Sequence, residues 1–445
     1  MNKLVISGGK KLNGEVAILG SKNVALKILV AACLTDEEVV VTNAPLISDL
    51  MVMADIIRNL GGVVKFDDHN ISIRLENFAS EKISLVKAAE IRTSYMFLAP
   101  LLARLGKAII PNPGGCRIGA RPINRIVDGL EKMGVKIDYD SKDGYFHALA
   151  VDGLTGTIYK FSKSTHTGTE TMLLAAVLAK GKTVLENAAQ EPEVDELIGL
   201  LNRMGASVVR ETPRRIVIEG VSKLHGAEFK IAPDRNEVVT FAVAAFMTEG
   251  DILIRDIKTK GLEEFLELVE SCGGGIEEKE NGIRFFYKGE LKSSNVTTSF
   301  YPGFMTDWQG PWAVLMTKAN GLSTIHETVY ENRFTYVDEL RKMGADIEFY
   351  KPEVINPELA YNFNIKDDTN QDRHAVKVFG PTALHNAVLT VTDLRAGASL
   401  VLAALAAKGK SVLLDIEHLD RGYEQFEQRL RNLGADIERE EVINE

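Results

Sequence analysis

The sequence predicts an α/β fold made from one helix-and-strand unit used six times, and three observations predict it. An apolar residue followed by glycine, at the junction of a helical run and a strand, recurs at Gly61, Gly134, Gly205, Gly273, Gly344 and Gly434. The spacings are 73, 71, 68, 71 and 90 residues, and self-similarity at one period marks a repeated supersecondary unit. In the same register an alanine-rich apolar run leads through a turn into a β-branched strand, most plainly at residues 172–184 and 400–412. Third, no run reaches the roughly 18 apolar residues of a membrane helix, and the apolar residues are instead spread over all six units.

Each junction glycine is expected to end its helix in the left-handed conformation and release the chain into a strand such as residues 346–349. The alanine-rich helices should begin near Lys22, Arg92, Gly168, Asp234, Asp307 and Arg395. They are apolar nearly all round, which predicts burial. Second helices of the repeats should open at Arg121-Pro122, Glu191-Pro192, Asn332-Arg333 and Arg421-Gly422. The Lys-Gly-Lys-Thr and Lys-Gly-Lys-Ser strings at 180–183 and 408–411 are repeat turns. A phosphate loop needs a glycine five positions before its Gly-Lys, and Ala176 and Ala404 stand there.

A net charge of −10 and an isoelectric point of about 5.5 argue against a nucleic-acid partner. Any anionic ligand must then be met by local arginines. The N-terminus carries no apolar run of signal-peptide length, and the expected location is the cytoplasm, away from membranes. Three widely spaced cysteines give neither a zinc pattern nor a disulfide framework. Cys272 occupies the position that the other repeats fill with Leu60, Met133, Met204, Met343 and Leu433, and Cys33 lies in an apolar helix, so both read as core. Cys116 alone stands in a loop, 111–122, between glycines and beside Arg117 and Arg121. Neighbouring positive charge favours a thiolate, and this is a setting for a reactive thiol.

Where the helices begin, the repeats stop being alike. The starts read Ser21-Lys22-Asn23, Arg92-Thr93-Ser94, Thr165-His166-Thr167-Gly168, Asp234-Arg235, Thr306-Asp307 and Asp393-Leu394-Arg395. Helix N-termini present unpaired N–H groups and a partial positive charge, and Lys22, Arg92, Arg121, Arg333, Arg395 and Arg421 add full charges. Their expected convergence on one cleft would make an anion site. For each residue singly, a helix cap or a surface cation is the plainer reading.

On these strings the chain resembles the enolpyruvyl transferases. The resemblance runs from Leu4 to about Asp436 and rests on Gly20-Ser21-Lys22-Asn23, the loop 113–122, the stretch 186–193, Glu331-Asn332-Arg333-Phe334, Thr392-Asp393-Leu394-Arg395-Ala396 and Asp420-Arg421-Gly422-Tyr423. It implies two similar domains, each of three βαβαββ repeats with helices inside and sheets outside. One would hold residues 22–232, the other residues 1–21 plus 233–445. It implies transfer of the enolpyruvyl group of phosphoenolpyruvate to the 3-hydroxyl of the sugar in UDP-N-acetylglucosamine, releasing phosphate, with no metal, no organic cofactor and no obligate protein partner.

By the same resemblance Cys116 is the acid that protonates the methylene carbon and Asp307 the carboxylate beside the sugar hydroxyl. Lys22, Asn23, Arg121, Arg395 and Arg421 grip phosphoenolpyruvate. The nucleotide sugar falls to Arg92, Arg121, Pro122, Ile123, Asn124, Arg125, Lys163, Ser164, Thr165, His166, Glu191, Asp307, Val329 and Arg333. The chain departs from the family's usual pattern at Asn124-Arg125-Ile126, at Met96 and in extra residues within 351–378. An acceptor other than the UDP-sugar, and a binding paralogue without turnover, are the alternatives at this point.

Overall fold

A computed structural model describes residues 2–112, 114, 123–369 and 373–441. Among them two compact units form, one drawn from residues 19–232, the other from 2–18 together with 233–441. Each unit holds three sheets and its own apolar core.

The sheets carry the repeat. Strand Ile158–Lys160 leads through helix His166–Ala176 to the parallel strand Lys182–Glu186, and an antiparallel hairpin, Ser207–Thr212 with Arg215–Glu219, completes that sheet. Strands Val388–Thr390 and Lys410–Leu414 are joined in the same way by helix Leu394–Ala406. Parallel neighbours need a crossover of this length, which is why a helix stands between them. Five sheets have four strands, and the sixth has three (Lys107–Pro111, Tyr145–Leu149, Lys136–Asp140). There the place of the fourth strand is held by a single parallel bridge, Lys82 to Ile109.

Each unit is closed by strands distant in sequence. Ala227–Lys230 pairs in parallel with Val39–Thr42. In the other unit Asn13–Ala17 pairs in parallel with Asp251–Arg255, and Asn2–Ser7 lies between Lys410–Leu414 and Asp436–Glu441.

The helices are inside. All thirteen residues of Arg235–Met247 are buried, and Leu394–Ala406 is buried at every position except its last. The six junction glycines have φ between +86° and +104° and directly follow helix ends, as expected. Two apolar helices begin with a tighter 3-10 turn: Arg92–Phe97 before Leu98–Leu105, and Thr306–Trp308 before Gln309–Met316. Pro100 and Pro311 explain this. Within the first turn of the regular helix their missing N–H costs nothing, whereas a regular helix begun earlier would set the proline ring against the carbonyl four residues back.

Two expected helix starts are corrected. The segment around Asn332-Arg333 is irregular and the helix begins at Val337; Arg421-Gly422 follows the short helix Glu417–Asp420, and the next begins at Phe426. Gln425, at φ +46°, breaks the helical path between them. The extra length of the last spacing sits between strands Ile347–Phe349 and Ala375–Gly380, which form the antiparallel hairpin of their sheet. The inserted segment is anchored by rings, with Phe363 stacked on Tyr361 at 4.9 Å and on His374 at 5.1 Å.

Candidate active site

In the unit of residues 19–232, Lys22 is the first residue of helix Lys22–Ala32, and its Nζ lies 2.7 Å from Asp49 Oδ2. Asp49 belongs to the first turn of helix Ser48–Asn59, where the positive end of the helix favours a carboxylate. Asn23 follows on the Lys22 helix. Thr165 caps helix His166–Ala176 by accepting from the Gly168 N–H at 3.2 Å, and Ser164 beside it is buried. His166 Nε2 is 3.1 Å from Glu170 Oε1, and Lys27 Nζ is 3.3 Å from Glu170 Oε2; Lys27 and Glu170 are buried, and the His166 side chain is 21% exposed. Both are ion-pair contacts whose directions fall short of straight hydrogen bonds. Burial and Lys27 oppose charge on His166, but the Glu170 and Glu191 carboxylates together outweigh them and raise the imidazole above its ordinary value.

Glu191 stands at the N-cap of helix Pro192–Arg203 and is 1% exposed. Arg92 begins its 3-10 turn with its guanidinium 5.9 Å from the Tyr95 ring centre, and Lys163 is half-buried. Ile123 is the buried N-cap of helix Asn124–Lys132; Asn124 is exposed, and the Arg125 carbonyl accepts from the Tyr159 hydroxyl at 2.8 Å. Cys116, Arg121 and Pro122 lie outside the described residues.

In the other unit Asp307 is the hub. One of its oxygens accepts a short bond from Arg333 Nη2, and the other is 3.4 Å from Arg395 Nε. Arg333 also approaches Asp393 at 3.9 Å, and Asp393 caps helix Leu394–Ala406 by accepting from the N–H groups of Arg395 and Ala396 at 3.0 and 3.1 Å. Arg395 donates to the Tyr423 hydroxyl at 2.9 Å, which in turn meets Thr240 Oγ1 at 2.8 Å. Burial alone would depress the Arg395 guanidinium; Tyr423, Asp307 and Asp234 outweigh it and hold the charge. Val329 N–H donates to the buried Glu327 at 2.7 Å, and Glu327 accepts from Thr306 at 2.9 Å. Arg421, half-buried, ends the short helix Glu417–Asp420.

Asp307, Arg333 and Arg395 are thus brought into one cluster, and Ser164, Thr165 and His166 into another. Sequence reasoning missed Lys27, Asp49, Glu170, Tyr423 and the pair Glu237–Arg429, in which Arg429 donates to both Glu237 oxygens at 2.6 and 2.8 Å. A usable signal existed, since a charged residue within an apolar, buried helix demands a partner. Two cationic side chains fixed beside one carboxylate suit an anionic substrate that must surrender a proton, and no group of three or more His, Cys, Asp or Glu side chains able to hold a metal ion occurs among the described residues.

A family profile described as EPSP synthase (3-phosphoshikimate 1-carboxyvinyltransferase) matches residues 6–430. The chain is 40% identical to a UDP-N-acetylglucosamine 1-carboxyvinyltransferase of Bartonella henselae, covering 99% of each chain. It is 41% identical to a protein of the same name from Endomicrobium trichonymphae, covering 98% of this chain and 99% of that one. Among solved structures the enolpyruvyl transferase NikO from Streptomyces tendae superposes with a TM-score of 0.85 at 24% identity over 98% of each chain. EPSP synthase from Acinetobacter baumannii gives 0.72 at 18%, over 99% of this chain and 100% of that one.

Proposed function

This chain belongs to the EPSP synthase family of enolpyruvyl transferases, and from that premise we propose that it moves the enolpyruvyl group of phosphoenolpyruvate to the 3-hydroxyl of UDP-N-acetylglucosamine, releasing phosphate. The observation that carries the choice of acceptor is the 40% identity, end to end, with relatives named for that reaction. The product is a peptidoglycan precursor, and the reading places the enzyme in the cytoplasm and in the service of wall growth and division.

The chemistry is addition followed by elimination. Lys22, Arg121, Arg395 and Arg421 hold the phosphate and carboxylate of phosphoenolpyruvate, for which fork-shaped guanidinium groups are suited. Asp307 accepts the proton of the sugar hydroxyl as its oxygen attacks C2, and Cys116 gives a proton to the methylene carbon. The tetrahedral ketal then loses a proton from that carbon and expels phosphate. Asp307, oriented by Arg333 and Arg395, is an acceptor whose position is set before substrate arrives. Arg92, Ile123, Asn124, Arg125, the segment 163–166, Glu191 and Val329 receive the nucleotide sugar.

Phosphate release from phosphoenolpyruvate, measured with and without UDP-N-acetylglucosamine, tests the reading. Release should require the sugar nucleotide and vanish in Cys116→Ala. An epoxide phosphonate such as fosfomycin should add to Cys116 alone. Cys33 is buried and its thiol is pushed up to about 12, and burial raises Cys272 as well. Adduct on either of those, or release that ignores the sugar nucleotide, contradicts the assignment.

A further inference from the structure

Behind the nucleotide-sugar segment one buried carboxylate, Glu170, is shared by an ammonium and an imidazole. Helices Lys22–Ala32 and His166–Ala176 both pack on helix Pro192–Arg203. The charged groups that act most on His166 are Glu170 of its own helix, Lys27 of the first and Glu191 at the start of the third. Lys27, Glu170 and Glu191 are all no more than 2% exposed. One ammonium cancels one carboxylate. Glu191 places a second carboxylate in the field of the imidazole, and that field favours the protonated ring. The geometry agrees, because Glu170 sets one oxygen toward Lys27 and turns the other toward His166 Nε2.

We propose that Glu170, braced by Lys27, is a positioning residue that holds the His166 imidazolium in place, so that the segment 163–166 offers a positive charge and an N–H donor to the diphosphate of the sugar nucleotide. The inference rests on the proposed function, which assigns that segment to this ligand. It gives the interior of this unit a part in ligand affinity beyond packing. Lys27 and Glu170 touch no substrate in this scheme; they act through His166.

The test follows the imidazole resonances of the eight histidines by NMR, with His166 assigned from His166→Gln, beside calorimetric titration of UDP-N-acetylglucosamine across the same pH range. His166 should titrate above the ordinary histidine value of about 6.5. Glu170→Gln should bring that titration down, and the dissociation constant for the sugar nucleotide should rise roughly tenfold or more as His166 loses its proton. An exposed-like titration of His166 in the unaltered enzyme overturns the proposal whether or not a variant folds, and so does a titration that Glu170→Gln leaves in place. A raised titration with an affinity indifferent to it overturns the positioning role. Phosphate release by the same preparation reports separately whether the proposed reaction stands.

Discussion

Two buried glutamates, one in each unit, are held in opposite ways. Glu237, in the first turn of helix Arg235–Met247, meets the Arg429 fork through both oxygens at 2.6 and 2.8 Å. Glu170 meets two separate point donors, Lys27 and His166, at 3.3 and 3.1 Å and at poor angles. A planar guanidinium saturates a carboxylate and leaves nothing to respond with. An ammonium and an imidazole saturate it less well, and one of the two can gain or lose a proton within the physiological range. The first arrangement fixes a scaffold; the second can report on its surroundings.

The largest effect that would test this contrast is Arg429→Ala. It strands a buried carboxylate and should cost about 3–5 kcal/mol in the denaturant transition of the 233–441 unit. The double variant Glu237→Met with Arg429→Met should recover most of the loss, as expected of a purely structural pair. If the double variant stays as unstable as the single one, the pair does more than hold the scaffold. Lys27→Met should be milder, about 1–3 kcal/mol, because His166 remains to compensate Glu170. In that variant the His166 titration should move further up, and an unchanged NMR titration curve would break the link between the two cations.

The pH dependence sharpens the contrast further. His166 has a folded value raised above its unfolded one, so its contribution is complete below the unfolded value and disappears as pH rises through the folded one. The 19–232 unit should therefore lose stability as pH rises from the ordinary histidine value of about 6.5 through the folded one. His166→Gln should abolish that slope, as read from denaturant midpoints at several pH values. The smallest effect concerns Tyr423→Phe, which removes the acceptor for Arg395 and the partner of Thr240. The loss should be about 0.5–1.5 kcal/mol, seen as a roughly tenfold or smaller weakening of phosphoenolpyruvate binding in calorimetry. Full binding in this variant would show that Asp307 alone positions Arg395.

The fold was largely legible because its signals are local. A glycine in the left-handed conformation and a helix apolar on every side each announce themselves within a dozen residues. The clustered part of the site was legible for a related reason, since Thr165, Asp307, Asp393 and Arg395 sit at helix starts where side chain and backbone chemistry meet. Glu170 and Lys27 escaped notice although their helices were expected to be buried, because their partnership spans two distant repeats. Arg429 likewise gave no sign of Glu237, which lies in another repeat. The helix starts placed at Asn332-Arg333 and Arg421-Gly422 were read from the repeat pattern, and at the second nothing in the string discloses the left-handed Gln425 that delays the helix to Phe426.

Strand Asn2–Ser7 lies between strands that begin at Lys410 and Asp436, and Asn13–Ala17 lies beside Asp251–Arg255. On the ribosome these strands emerge ahead of residues 19–232 and find no partner until that stretch has been made. At roughly 5–20 residues per second that wait lasts on the order of tens of seconds. The inserted unit, closed by its own strand Ala227–Lys230, can be finished within that interval. Synthesis thus imposes an order in which the later-numbered unit, whose first strands are made earliest, is the last to be completed, and its waiting strands are the part of the nascent chain most in need of protection from wrong pairing.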